Sequence, residues 1–207
     1  CKSFWEKILI PPFIFFFQKI YPFNIVNNPK KKLAAAAGGF IVCESKLFKN
    51  NNIYEKIKNK VIDDCNIAKI IKNDGKIWIG LTNLVISKRG YNKLESIWKM
   101  VSRTAFEQLS YSNIFLIMSV LGMLILYLTP LIGLSKGLMQ RSNELIIINS
   151  LSVLSIFVIF YPTFKFYSLK IIYIFFIPFS CFLYMLMTIS SALNYYKAGN
   201  DWKGRNY

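Results

Sequence analysis

The chain has 207 residues, enough for one domain and a second, smaller part, and 54% of them are hydrophobic. It carries 26 Lys/Arg against 10 Asp/Glu, for a net charge of +16, and has no histidine. The lack of imidazole excludes Ser-His-Asp and Cys-His nucleophilic sites and every His-ligated metal site.

The four cysteines (Cys1, Cys43, Cys65, Cys181) form no C-x-x-C pair and read as buried, reduced thiols. Residues 1–112 hold 19 Lys/Arg and 8 Asp/Glu, net +11; residues 113–207 hold 7 and 2, net +5. A Lys-rich polar part beside long apolar runs points to anionic lipid headgroups rather than nucleic acid as the partner of the charge. The chain starts with Cys rather than Met, and no signal peptide is visible. It reads as the C-terminal piece of a longer protein.

Residues 8–23, ILIPPFIFFFQKIYPF, are apolar but interrupted by Pro11 and Pro12 and are short of the ~20 residues a crossing needs. They are expected to lie in the membrane interface or to pack on the domain. A polar loop with Lys30–Lys32 follows. Residues 33–43, LAAAAGGFIVC, read as a buried strand with a Gly-Gly turn, and a glycine pair lets another backbone or a ligand approach closely. A short helix is expected over 53–60 and another over 64–73, opened by Asp63 and Asp64 and closed at Gly75. Residues 76–82, KIWIGLT, alternate as a strand.

A longer amphipathic helix is expected from about Asn92 to Leu109, with Leu94, Ile97, Trp98, Val101, Ala105 and Leu109 on one stripe and Arg103 off it. Charge-free apolar runs then give three spanning candidates, at about 114–134, 145–164 and 171–193. The boundaries read as a polar domain over 1–112, a membrane domain over 113–193 and a basic tail over 194–207. Three crossings would put that tail on the side opposite the basic domain, against the positive-inside rule, unless one segment is re-entrant.

AAAAGGFIV (34–42), VIDDCNIAKIIKNDGKIWIGL (61–81), WKMVSRTAFEQLSYS (98–112) and the closing WKGRNY (202–207) stand in order ahead of the apolar runs. Together they resemble a membrane-bound family 2 glycosyltransferase, most narrowly the hopene-associated glycosyltransferases. The resemblance implies an α/β fold of GT-A type, here its C-terminal half, followed by a helical membrane domain. It implies a nucleotide-sugar donor, a lipid or isoprenoid-derived acceptor, and inverting displacement at the sugar.

In that family an acidic pair opening a helix supplies the general base, which assigns Asp64 as base and Asp63 as its acidic neighbour. Gly38 and Gly39 match the strand bordering the acceptor. Arg103 matches the arginine of a Q-x-x-R-W motif that grips the departing diphosphate. The tail residues Trp202, Lys203, Gly204, Arg205 and Tyr207 match a motif of unassigned role. The family's divalent metal, Mg or Mn, would use an Asp-x-Asp segment upstream, since none occurs in this chain and no metal site is assigned within it. The implied location is the bacterial inner membrane, multi-pass, with the catalytic domain cytoplasmic. The competing readings are a non-catalytic transporter or assembly subunit and a processive polysaccharide synthase.

Overall fold

The computed structural model describes residues 1–58, 60–88, 90–198, 201–202 and 205–206. Helices account for nearly all of its regular structure. The chain forms two compact units: Cys1–Phe15 with Gly90–Ala198, and Phe16–Arg89 with Gly199–Tyr207.

The first unit begins with α1 (Phe4–Ile20), and its start is fixed by a capping box. The Glu6 N–H donates to Ser3 Oγ (3.1 Å), and the Ser3 N–H donates back to Glu6 Oε2 (3.1 Å). The same carboxylate accepts the Lys2 N–H, and its other oxygen accepts the Tyr91 N–H at 2.6 Å. Ser3 Oγ in turn donates to the Tyr91 carbonyl (2.9 Å). Burial of Glu6 works to raise its pKa, but the backbone donors outweigh it and hold the carboxyl below the usual range.

Pro11 and Pro12 do not end α1; both are buried in it. A proline withholds the N–H that residue i−4 needs, so Pro12 frees the Ile8 carbonyl. Ser180 Oγ donates to that carbonyl at 2.8 Å, and Tyr184 Oη donates to the next, Leu9, at 2.6 Å. The first part of the apolar segment expected over 8–23, at Ile8 and Leu9, therefore packs on the last long helix through its own irregularity.

Helix α6 (Leu94–Gln108) buries Ile97 and Val101 of the expected stripe, together with Ser102 and Phe106, which lie off it. Three helical segments are long and apolar enough to cross a membrane: Asn113–Gln140, Asn143–Phe166 and Ile171–Lys197. The first is α7 (Asn113–Met123), a π-helical turn (Leu124–Leu128) and α8 (Thr129–Gln140), which Pro130 follows into. The second is α9 (Asn143–Phe166). The third is a 3-10 turn (Ile171–Phe176) leading into α10 (Ile177–Ala198).

Helices α8 and α9 form an antiparallel hairpin around Arg141, which takes the left-handed conformation (φ 54°). Gly133 and Gly137, spaced as G-x-x-x-G, let the two backbones approach. A Cβ on Gly137 would stand 3.0 Å from the Ile146 nitrogen, and one on Gly133 would overlap the Asn149 side chain.

The second unit holds α2 (Phe23–Val26), α3 (Ser45–Asn50), α4 (Ile53–Ile57) and α5 (Asp63–Asp74). Its core is Val26, Ala35, Ile62, Cys65 and Ile79, flanked by Phe17, Tyr21, Phe23, Leu33 and Ile77. Of the expected strands over 33–43 and 76–82, only Leu33, Ala35, Ile77 and Ile79 reach this core; Phe40, Ile41, Val42 and Trp78 are exposed, and neither segment is a strand. The expected α/β GT-A-type fold is therefore corrected: the described regular structure is helical apart from one short tail ladder, with no sheet built from these segments. Among the described residues the one ladder is a pair of two-residue strands in the tail, β1 (Asp201–Trp202) and β2 (Arg205–Asn206), with Trp202 opposite Arg205.

The physical reason is visible in the backbone partners. Period-two apolarity fixes which faces are buried, but a strand also needs a neighbour to exchange hydrogen bonds. Here side chains take that place. The Asn27 amide donates to the Ile79 carbonyl (2.9 Å) and accepts the Ile79 N–H (2.7 Å), copying a ladder pair with one residue. Lys72 Nζ donates to the Val26 and Leu33 carbonyls, the latter at 2.7 Å.

Two predictions follow from these ties. Ser180→Ala leaves the Ile8 carbonyl unsatisfied and should lower stability by ~1–3 kcal/mol. In Pro12→Ala the restored N–H can serve that carbonyl, so Ser180→Ala in that background should cost clearly less, a coupling readable by thermal unfolding in detergent. The Glu6 carboxyl is lowered in the folded state, so its contribution is full above the ordinary glutamate pKa and is lost as pH falls through the lowered value. Glu6→Gln should unfold at lower temperature at neutral pH and show a flatter acid limb below the ordinary glutamate pKa of ~4.3 in the same measurement.

Candidate functional site

The acidic pair opens α5 as expected, and the helix runs from Asp63 to Asp74. The Gly75 N–H closes it on the Ile71 carbonyl (2.9 Å), with Gly75 itself extended rather than left-handed. Both acids serve the helix start. Asp63 Oδ1 accepts the Asp64 N–H at 3.0 Å, and Asp64 Oδ1 accepts the Cys65 N–H at 2.7 Å. Each thus satisfies one of the amides that a helix N-terminus leaves open.

The second oxygen of Asp64 separates the two acids. Asp64 Oδ2 accepts the Gly38 N–H at 2.7 Å, across 26 residues of chain. Gly38 and Gly39 occupy the centre of a turn closed by the Phe40 N–H on the Ala37 carbonyl (3.2 Å). A Cβ on Gly38 would stand 3.2 Å from Asp64 Oδ2, so the missing side chain is what lets the carboxylate reach the backbone. At Gly39 a Cβ would meet nothing within 4 Å, and that side of the turn is open. Asp63 is exposed, Asp64 is half-buried, and Cys65 is in the core.

Burial pushes the Asp64 pKa up, and the neighbouring Asp63 charge adds to the rise. The Cys65 and Gly38 amides oppose it without cancelling it. Burial likewise holds the Cys65 thiol at about 11, which makes it a packing group rather than a nucleophile. The site therefore combines a fixed carboxylate, raised proton affinity and a glycine turn with one open face.

Arg103 lies in α6, half-buried, between the buried Ser102 and the Phe106 turn, with Glu107 four residues on. It belongs to the first unit, and Asp64, Gly38 and Gly39 belong to the second. Of the tail motif, Trp202 and Arg205 are backbone partners in the short ladder. Lys203, Gly204 and Tyr207 lie outside the described residues. Among the described residues no three Cys, Asp or Glu side chains gather in a group that could hold a metal ion.

Sequence reasoning missed Asn27, Lys72, Ser3 and Glu6. Ser3-x-x-Glu6 carried a readable signal, the capping-box spacing. Asn27 and Lys72 act on residues far along the chain and left no local trace. Comparison with family models, curated proteins and solved structures returned no match to this chain.

The raised Asp64 pKa has a defined sign. The folded state holds the proton more tightly than the unfolded chain, so stability falls as pH rises from the ordinary aspartate pKa of ~3.9 through the raised value, then levels. Asp63→Asn removes the neighbouring charge and should move the Asp64 carboxyl titration to lower pH, followed as the carboxylate band in infrared difference spectra. A midpoint unmoved by Asp63→Asn would show that the two acids are not coupled.

Proposed function

We propose that the chain belongs to a membrane-embedded transferase in which Asp64 is the general base toward an alcohol. The supporting observation is the pairing of Asp64 with the Gly38 turn. A carboxylate oriented by two backbone amides, with elevated proton affinity and an open glycine beside it, suits deprotonation of a hydroxyl near neutral pH.

The motif resemblance gives the chemistry its identity. The proposed reaction moves a sugar from a nucleotide-sugar donor to a lipid or isoprenoid-derived hydroxyl, on the cytoplasmic face of a bacterial inner membrane. The acceptor O–H bond breaks, and its proton passes to Asp64. The acceptor oxygen forms a bond to the anomeric carbon as that carbon's bond to the diphosphate breaks, and the nucleoside diphosphate leaves with the electron pair. Arg103 is proposed to hold the diphosphate, since a guanidinium offers parallel donors to phosphate oxygens. The apolar helices support delivery of an acceptor dissolved in the bilayer.

A second reading has an observation of its own. Both Asp64 oxygens bond to backbone amides, so the residue also serves as a tie between the glycine turn and α5. On that reading the protein is a non-catalytic membrane subunit, and Asp64 only stabilises it.

The two readings separate in native membranes given radiolabelled nucleotide sugars. Asp64→Asn should abolish lipid-linked label, by at least ~10²-fold for loss of a general base, while expression and unfolding temperature stay within the range of Asp63→Asn. Asp63→Asn should retain transfer with its acid limb moved to lower pH. Unchanged transfer in Asp64→Asn removes the catalytic assignment and leaves the structural tie.

A further inference from the structure

We infer that Asn113–Gln140 and Asn143–Phe166 cross as a hairpin. The third segment, Ile171–Lys197, enters and returns on the side from which the hairpin starts. Lys197 therefore lies on the same side as α6.

The inference rests on where the ends of the helices meet. Gly137 lies against Ile146 and Gly133 against Asn149. Further along, the Tyr127 and Phe160 rings are 6.0 Å apart. This antiparallel register brings Phe166 back toward the end that holds Asn113. Only residues 167–170 then separate Phe166 from Ile171, so the third segment starts on that side.

Its far end is on that side too. Tyr196 Oη donates to Asn113 Oδ1 at 2.9 Å, and the Tyr195 ring stacks on Tyr111 at 4.6 Å. Phe106 of α6 packs against both tyrosines, and its N–H donates to Ser191 Oγ at 2.9 Å. A segment whose two ends both lie toward the Asn113 end of a hairpin adds no net crossing; since α10 is 22 residues, or ~33 Å, of unbroken helix, the reversal falls before Ile177. Between them it reaches the depth of Phe157, whose ring meets Phe175 at 5.0 Å.

Burial divides the helices the same way. In their most apolar windows the first two segments are 6% and 11% buried within the protein, as lipid-facing crossings would be. The third is 56% buried, walled by α6 and by α1. Segments that do not cross are tolerated at membrane depth when protein covers them.

Charge agrees independently. The first unit holds ten Lys/Arg. Two crossings leave only Lys136 and Arg141 beyond the hairpin tip. The other eight, Lys2, Lys7, Lys93, Lys99, Arg103, Lys165, Lys170 and Lys197, fall on one side. The positive-inside rule makes that side cytoplasmic. Three crossings would strand Lys197 and the basic tail outside.

The assignment is independent of any chemistry at Asp64. It is tested on the full chain in sealed membrane vesicles of both orientations, with native cysteines replaced and single cysteines introduced as Asn92→Cys, Arg141→Cys, Ser168→Cys or Lys197→Cys. All four positions are exposed. A membrane-impermeant maleimide should label positions 92, 168 and 197 from one side and 141 from the other. Labelling of position 197 together with 141 overturns the inference. A wild-type chain carrying an epitope after Tyr207 gives a second measurement. The epitope should resist protease added outside intact spheroplasts and be digested in inverted vesicles, and the reverse pattern overturns the assignment.

Discussion

A backbone carbonyl or amide removed from water must find a partner, and this chain meets that constraint repeatedly with side chains. Pro12 withholds the helical N–H from Ile8, and a serine on another helix replaces it. Ile79 lies outside any helix or strand, and the Asn27 amide answers both of its backbone groups. Lys72 closes the Val26 and Leu33 carbonyls, and Glu6 closes three amides at once. In each case one polar side chain does what a sheet or a helix turn would otherwise do. These few residues hold the irregular parts of both units in place.

Asp64 belongs to the same group and also stands apart from it. Like the others, it ties distant backbone together, joining the glycine turn to the start of α5. Unlike Glu6, whose backbone donors win over burial, Asp64 keeps a raised proton affinity. Burial is the largest cause at both carboxyls; it prevails at Asp64, where the Asp63 charge adds to it, and loses at Glu6, where three amides and the chain's amino-terminal charge oppose it. A carboxylate saturated by amides becomes a weak base, whereas one partly saturated and crowded by a second acid remains a useful one.

The helices were legible because a buried stripe repeats in the residues themselves. The Asp63 start of α5, the Gly75 stop, the stripe of α6 and the three apolar segments all appear near their expected places. The strands were half legible. Alternation at 76–82 correctly set Ile77 and Ile79 inward, but nothing in a local pattern reports whether a neighbour exists to pair with. Gly133-x-x-x-Gly137 and Ser3-x-x-Glu6 were written in the sequence and readable by spacing alone. Ser180, Tyr184, Asn27 and Lys72 were not, because each acts on a residue between 39 and 175 positions away. The glycine turn beside the acidic pair became visible only with the fold, since Gly38 and Asp64 are joined by a single long-range bond.

Ser180 sits within reach of two acceptors, the Ile8 carbonyl at 2.8 Å and the Phe176 carbonyl of its own helix at 2.9 Å. A hydroxyl has one proton to give. When α1 is seated, that proton is contested; when α1 lifts, it swings to Phe176 and the serine loses nothing. The whole polar penalty of separation then falls on Ile8, whose carbonyl Pro12 has left without a donor in its own helix.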